Sequence, residues 1–281
     1  MPDSLVPTSD KIYEEQFAES EDRLEAYADL AAIVKQLRRD CPWDREQTHE
    51  SVKHLLIEEA YEVVSAIEER DWEEMAEELG DVLLHVLFHA TIAEENGRFS
   101  ISDVISAETD KLVRRHPHVF GEQAQDDAEA VAASWEEIKQ QEREEETEAP
   151  VSVLDGVPEQ LPALLRAHRV QDKAEGVGFA FPDRTDAWAK VEEEMAEFRE
   201  TLEAEADPDR QEAELGDVLF ALVNYVRYAD LNPENALRQA VDRFTRRFQH
   251  VERRVAEAGT SIDETDLSEM QRLWQEAKEA Q

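Results

Sequence analysis

Glu58-Glu59-Ala60-Tyr61-Glu62, followed after a gap by Glu78-Leu79-Gly80-Asp81, returns later in the chain as Glu193-Glu194-Met195-Ala196-Glu197 and Glu214-Leu215-Gly216-Asp217. A spacing of three puts Glu59 with Glu62, and Glu78 with Asp81, on one face of a helix. The same holds for Glu194 with Glu197 and Glu214 with Asp217. Two such faces brought together cluster four carboxylates, which repel unless a cation neutralises them. Oxygen-only donors select hard ions, Mg²⁺ first and Mn²⁺ or Ca²⁺ after it. The spelling therefore predicts two divalent-metal sites suited to phosphate chemistry. It also decides the fold. The helices that follow Glu78 and Glu214 are otherwise apolar, with Val82, Leu83, Val86 and Leu87 in one and Val218, Leu219, Phe220 and Leu222 in the other. Asp81 and Asp217 stand at the polar-to-apolar edge, where an unpaired carboxylate is unfavourable. Gly80 and Gly216 each cost about 1 kcal/mol in a helix relative to Ala; close helix approach or room for a ligand is the expected return. A solvated face is the plainer reading of any single Glu-rich run. Recurrence at a matching gap is what favours a metal.

Apolar residues recur at helical spacing through the rest of the chain and no β-alternation is visible, so the fold class is all-α. Helices are expected over about 21–39, from Thr48 as cap onward, 71–95, 102–115 with Ser102 or Asp103 as cap, and 126–148. In the second half they are expected over 162–174, 185–202, 210–229, 234–258 and 267–280. Residues 1–20 read as a flexible arm. A Pro- and Gly-bearing stretch, 150–162, reads as a linker between an N-terminal domain over 21–149 and a C-terminal domain over 163–281. The halves repeat each other beyond the acids. Lys111-Leu112-Val113-Arg114-Arg115 answers Arg243-Phe244-Thr245-Arg246-Arg247, and the Trp135 to Lys139 stretch answers Trp274 to Lys278. This is a duplicated helical domain with a duplicated site.

The 281 residues carry 69 acidic and 30 basic side chains, a formal net charge of −39. That balance argues against stable nucleic-acid binding and against an anionic membrane surface, and it suits a high-salt interior. Cys41 is the single cysteine, which excludes an intrachain disulfide and fits a reducing compartment. The polar start lacks the basic flank and apolar run of a signal peptide. The longest apolar stretch, 82–92, is broken by His85 and His89 and is too short for a bilayer. A cytoplasmic location is expected.

Against such acidity, Lys111, Arg114 and Arg115, and Arg243, Arg246 and Arg247, form local basic stripes at helical spacing. A metal cluster beside a basic stripe suits a polyphosphate. Lys190, one turn before Glu194, is a further phosphate candidate. His85 and His89 have Ala221 and Tyr225 at the matching places, which favours core or interface histidines over a transition-metal site. Trp43, Phe179, Phe181 and Trp274 read as core, with stacking on a nucleobase as the sharper alternative.

The chain from about Leu24 resembles the MazG family of nucleoside triphosphate pyrophosphohydrolases. The resemblance is carried by Cys41-Pro42-Trp43-Asp44, Glu58 to Glu62, Glu78 to Asp81, Arg114 to Phe120, Gly176-Val177-Gly178-Phe179 and Glu214 to Asp217. It implies tandem four-helix domains and a homodimer whose sites draw helices from both chains. It also implies Mg²⁺-dependent hydrolysis of a nucleoside triphosphate to the monophosphate and pyrophosphate, which clears the nucleotide pool. Carried over, it makes Glu194, Glu197, Glu214 and Asp217 the second domain's metal ligands and catalytic acids, with Glu193 orienting water or a second ion. Lys190 and Arg243, Arg246 and Arg247 would hold phosphates, and Trp274 would lie against the nucleotide. The first domain's set is Glu59, Glu62, Glu78 and Asp81, with Glu58 beside them and Lys111, Arg114 and Arg115 as the stripe. Two departures from the family spelling stand out: Gly178-Phe179-Ala180-Phe181 in place of Gly-Phe-Asp-Trp, and Arg243 in place of Lys, preceded by Asp242. The rival readings are a ferritin-like dimetal bundle, which wants Glu-x-x-His pairs absent from both copies, and a non-catalytic acidic interaction module.

Overall fold

Arg70 adopts a left-handed backbone with φ 57°, and Asp71 then caps the next helix by accepting from the Glu73 and Glu74 amides at 3.1 Å. Two non-helical residues between long helices force those helices back alongside each other, and this hairpin carries the first acidic spelling. The computed structural model describes residues 20–121, 127, 131, 134, 135, 138–142 and 152–280. Residues 1–19 of the arm expected over 1–20, most of the helix expected over 126–148, and residues 150 and 151 at the start of the expected linker lie outside the described residues. The chain divides into two compact units, Met1–Lys139 and Gln140–Gln281.

Unit 1 contains α1 (Ser20–Asp40), α2 (Pro42–Glu46), α3 (His49–Glu69), α4 (Trp72–Glu95), α5 (Ile101–Arg115) and α6 (Pro117–Phe120). Thr48 caps α3 in a capping box with Ser51. The start of α5 corrects the expected one. Its cap is Ser100, which accepts from the Asp103 amide while Asp103 reaches back to the Ser100 amide. The Ser-x-x-Asp frame sets this start. α4 is the central element: α3, α1 and α5 all pack on it. Val34, Val52, Leu87, Phe88 and Ile92 form the core, backed by Tyr27, Leu30, Leu55 and Leu84.

Unit 2 contains α7 (Ala163–Gly176), α8 (Arg184–Glu203), α9 (Pro208–Arg227), α10 (Pro233–Glu257), a 3₁₀ turn (Ile262–Glu264) and α11 (Leu267–Glu279). α8 and α9 make the second hairpin. Glu205 turns it at φ 48°, and Pro208 at the first helical position needs no amide partner. α7 packs on α9 and on α10, and α11 packs on α10. Val251, Val255 and Leu273 form the core there, with Met270 and Trp274 against it. Among the described residues there is no strand, and no helix is long and apolar enough to cross a membrane.

Two apolar expectations need correcting. Trp43 is 58% exposed and Phe179 is 82% exposed, so neither is core within the chain. A Cβ built on Gly80 or Gly216 meets nothing within 4 Å. Close helix approach inside the chain is therefore not the reason for these glycines, and the alternative, open room beside the acids, is what remains.

Candidate metal centres

In each hairpin, three of the four expected ligands converge. Carboxylate oxygens of Glu194 on α8 and Glu214 and Asp217 on α9 all lie within 4.8 Å of one another, as do those of Glu59 on α3 and Glu78 and Asp81 on α4. Glu62 belongs with the first trio electrically, its carboxylate helping to raise both Glu59 and Glu78. Glu197 is exposed on α8 and stands outside the second trio. The hairpin geometry explains the convergence: antiparallel helices joined by a tight turn bring the last turns of one beside the first turns of the other.

The two centres differ in charge, and the reason is legible residue by residue. In the second, Lys190 Nζ lies 2.7 Å from Glu193 Oε1 and 2.7 Å from Glu194 Oε1. Hydrogen bonds to those two carboxylates hold its ammonium above the usual lysine range. Arg210 Nε lies 3.9 Å from Glu214 Oε1. Counting back through the repeat, Leu55 stands where Lys190 stands, and Glu74 where Arg210 stands. The first centre thus has acids without those cations. Burial, then the charges of Glu62, Glu74 and Glu59, raise Glu78 to about 7. Burial and the neighbouring Glu62 also raise Glu59.

This has a measurable consequence. A carboxyl whose folded pKa exceeds its unfolded value binds more protons when folded, so it favours the fold at low pH and loses that contribution as pH rises from about 4.5 through about 7. A divalent ion competes with those protons. Added Mg²⁺ should therefore raise the melting temperature more at pH 8 than at pH 5. Differential scanning fluorimetry across that range checks it, and a Mg²⁺ effect that is flat with pH would count against a metal at the first centre.

The basic stripes lie on other helices. Arg243 and Arg246 are exposed on α10, which packs mainly on α7 and α11 rather than on the acid hairpin. Arg247 shares that helix. In unit 1, Lys111 pairs with Glu108 on its own helix, α5, and Arg114 and Arg115 form the helix's last turn. Trp274 packs with its ring 5.1 Å from that of Phe244, which agrees with its reading as core. Glu58 is exposed beside the first trio.

His85 is buried, with Nε2 3.7 Å from Glu59 Oε1. Burial lowers its pKa, so at neutral pH this is a contact with a neutral ring rather than an ion pair. His89 meets His49 Nδ1 to Nδ1 at 2.7 Å, with the rings parallel within 1°. Sequence reasoning passed over three features. The His49–His89 pair joins residues forty apart and leaves no local signal. Arg38 is a lone cation on the inner face of α1, which is a signal. The polar lining of a cavity behind α9, formed by Gln171 and Asn224, was not distinguishable from surface amides.

Comparison with known proteins follows the same division. The sequence profile of the MazG nucleotide pyrophosphohydrolase domain matches residues 47–120 and again residues 185–252. The two matches contain both acid trios and both basic stripes, and Trp274 lies beyond the second. The chain is 41% identical over 254 residues to the nucleoside triphosphate pyrophosphohydrolase/pyrophosphatase MazG of Thermotoga maritima, covering 90% of this chain and 95% of that protein. It is 42% identical over 253 residues to a nucleoside triphosphate pyrophosphohydrolase of Escherichia coli, covering 89% and 95%. It is also 43% identical over 257 residues to the uncharacterized protein YabN of Bacillus subtilis, covering 91% of this chain and 52% of that one.

Proposed function

The chain belongs to the MazG nucleotide pyrophosphohydrolase family, and from that premise we propose that the Glu194, Glu214 and Asp217 centre of its second half is where a nucleoside triphosphate is cleaved. The protein is a nucleoside triphosphate pyrophosphohydrolase, yielding the monophosphate and pyrophosphate. The observation that carries the placement is the charge difference between the centres. Among the described residues only the second sets a cation, Lys190, against the acids, where it can move from Glu193 and Glu194 to a phosphoryl oxygen.

The acid groups fit a metal ion by donor chemistry: three converging carboxylates, all oxygen, on rigid helices. We assign Mg²⁺, with Mn²⁺ as a substitute. When bound, the ion neutralises the triphosphate and lowers the pKa of water. The chain's own residues do the rest. Glu194, Glu214 and Asp217 hold the centre in place, with Glu197 completing the set from the exposed side. Glu193 is exposed and one hydrogen bond from Lys190, placed to orient a water and accept its proton. The water oxygen forms a bond to the α-phosphorus as the bond to the bridging oxygen breaks, and pyrophosphate leaves. Lys190 and the Arg243, Arg246 and Arg247 stripe hold the departing phosphates.

Since α10 packs away from the acid hairpin, we assign the stripe that completes the second site to a second copy of the chain. Exposed apolar residues support self-association. Leu237, Val241, Phe244 and Phe248 form one stripe on α10, and Leu215 and Leu219 extend beside the acids on α9. A contiguous apolar stripe of this kind marks an association surface. The functional halves are taken as 21–149 and 163–281, and the first centre as a metal-binding counterpart without the reaction.

Hydrolysis of ATP with Mg²⁺ in ¹⁸O-labelled water tests the chemistry. The label is expected in AMP and not in pyrophosphate, and chelator is expected to stop turnover. ADP and phosphate as products would overturn the reading.

A further inference from the structure

His49 and His89 take no part in the steps above. His49 is the first residue of α3 and His89 lies in the second half of α4, both half-buried. Their Nδ1 atoms are 2.7 Å apart, their ring centres 5.0 Å apart and their planes parallel within 1°. The nitrogens are closer than the centres by nearly the whole of two ring radii. The rings therefore lie in one plane, edge to edge, with both nitrogens on the line between the centres. That geometry is a straight N–H···N hydrogen bond rather than a face-to-face stack. A metal ion fits it poorly, because two imidazoles at about 2.0–2.1 Å from one ion cannot hold their nitrogens so close along a straight line.

An N–H···N bond holds one proton between two nitrogens. With both rings neutral, one is the Nδ1–H tautomer and donates, and the other presents a bare Nδ1. With one extra proton the donor is an imidazolium and the bond is charge-assisted. With two, both nitrogens carry hydrogen, no acceptor remains and two cations face each other. The surroundings agree. Burial first, and then the neighbouring His49 and His85, hold His89 below the usual histidine range. On α3, Glu50, Lys53 and His54 follow His49, and hydrogen bonds hold the Glu50 carboxyl below the usual carboxylate range. From α1, Arg38 reaches the Gln47 carbonyl, two residues before His49, with its charge matched by Glu95. On α5, Asp103 is bonded to Ser100 and Lys111 is paired with Glu108. Of these groups the histidines are the ones that titrate between about pH 5 and 8.

We propose that His49 and His89 form a one-proton latch, which fastens the first turn of α3 to α4 at neutral pH and opens in acid when both rings are protonated. What opens is one turn. Val52, the next inward residue, is buried in the core and keeps the rest of α3 in place. In the unfolded chain each ring takes up a proton near about pH 6.5. At pH 5 the unfolded chain therefore carries two protons on these rings where the closed latch carries one, so closure weakens as pH falls below that value and is full well above it. The raised carboxyls of the first centre act in the opposite sense, favouring the fold at low pH. A global melt reads the sum of the two, and a local measurement separates them.

Two measurements on the full chain test this. Nitrogen-15 NMR of histidine-labelled protein at pH 8, assigned with His49→Gln and His89→Gln, reads which ring nitrogens carry hydrogen. One of the two rings is expected as the Nδ1–H tautomer and the other with Nδ1 bare. Hydrogen exchange, corrected for its intrinsic pH dependence, reads the turn itself at the Ser51 and Val52 amides, which donate to the Thr48 carbonyl. Protection there is expected to fall about fivefold from pH 8 to pH 5 in the wild type, the scale of one hydrogen bond. In each variant it is expected to be low and equal at both pH values. Bare Nδ1 atoms on both rings at pH 8, unchanged wild-type protection between the two pH values, or a fall of the same size in both variants would overturn the proposal. If one variant does not fold by circular dichroism, the wild-type tautomers, assigned with the other variant, and the wild-type exchange decide.

Discussion

Replacing Asp217 by Asn lowers pyrophosphate release by about 10³-fold, the scale set by removing one charged group from a preorganised electrostatic site. Asn keeps the volume and one oxygen but removes the charge. Asp217 is one of three carboxylates converging within 4.8 Å, so two remain to hold the ion and its affinity falls as well. The loss is expected in kcat, with raised Mg²⁺ only partly restoring it. Asp217 is exposed on the helix surface, and removing one of several mutually repelling charges relieves rather than strains the fold. Unfolding should therefore move little. Steady-state rates at two Mg²⁺ concentrations, with a thermal melt alongside, check both halves of the expectation. Turnover within a few-fold of wild type would remove Asp217 from the site.

Arg38→Met is the substitution with the largest expected effect on stability, a loss of about 3 kcal/mol from unit 1. Arg38 is 7% exposed. Its guanidinium donates to Glu95 Oε1 at 3.2 Å and Oε2 at 2.6 Å, to the Gln47 carbonyl at 3.0 Å and to the Asp44 carbonyl. It also lies 5.3 Å from the centre of the Phe88 ring. One side chain thus ties α1, the α2 turn and the end of α4. Glu95 is 43% exposed in its side chain, so water screens that pair, and much of the loss comes from the Gln47 carbonyl left unpaired, the Asp44 carbonyl keeping the Gln47 amide. Arg38→Lys keeps the charge but not the planar fork, and should lie between the two. Denaturant unfolding followed by circular dichroism reads the difference. A loss under about 0.5 kcal/mol, the scale of an ordinary surface change, would show that the fork is not a clamp.

These two residues show what a chain reveals before it folds. Asp217 was legible because its partners are local or repeated: Glu214 is three residues away, and Asp81 marks the same place in the other half. Arg38 was legible only as a cation on the inner face of α1; its partner was not, because Glu95 is 57 residues distant and nothing local specifies the pairing. The caps divide the same way. Thr48 and its neighbours read correctly, while the α5 start was placed two residues late because Ser102 competes with Ser100 in sequence and only the Asp103 reciprocal bond decides between them. The hairpins followed from apolar periodicity and tight turns. Trp43 and Phe179 were misplaced because hydrophobicity says that a ring prefers cover without saying whether that cover lies within the chain. The asymmetry of the two centres was present in the sequence as Leu55 against Lys190 and Glu74 against Arg210, and needed the structure to show that those positions face the acids.

The most direct test of the central claim compares the two centres in one assay. Pyrophosphate release from ATP is measured for wild type, Asp81→Asn and Asp217→Asn under the same Mg²⁺. The charge difference between the centres predicts that Asp81→Asn keeps activity within about threefold, the scatter of a change that leaves the reacting groups in place, while Asp217→Asn loses about 10³-fold. A loss in Asp81→Asn as large as that in Asp217→Asn, or activity confined to the Asp217→Asn protein, would contradict it.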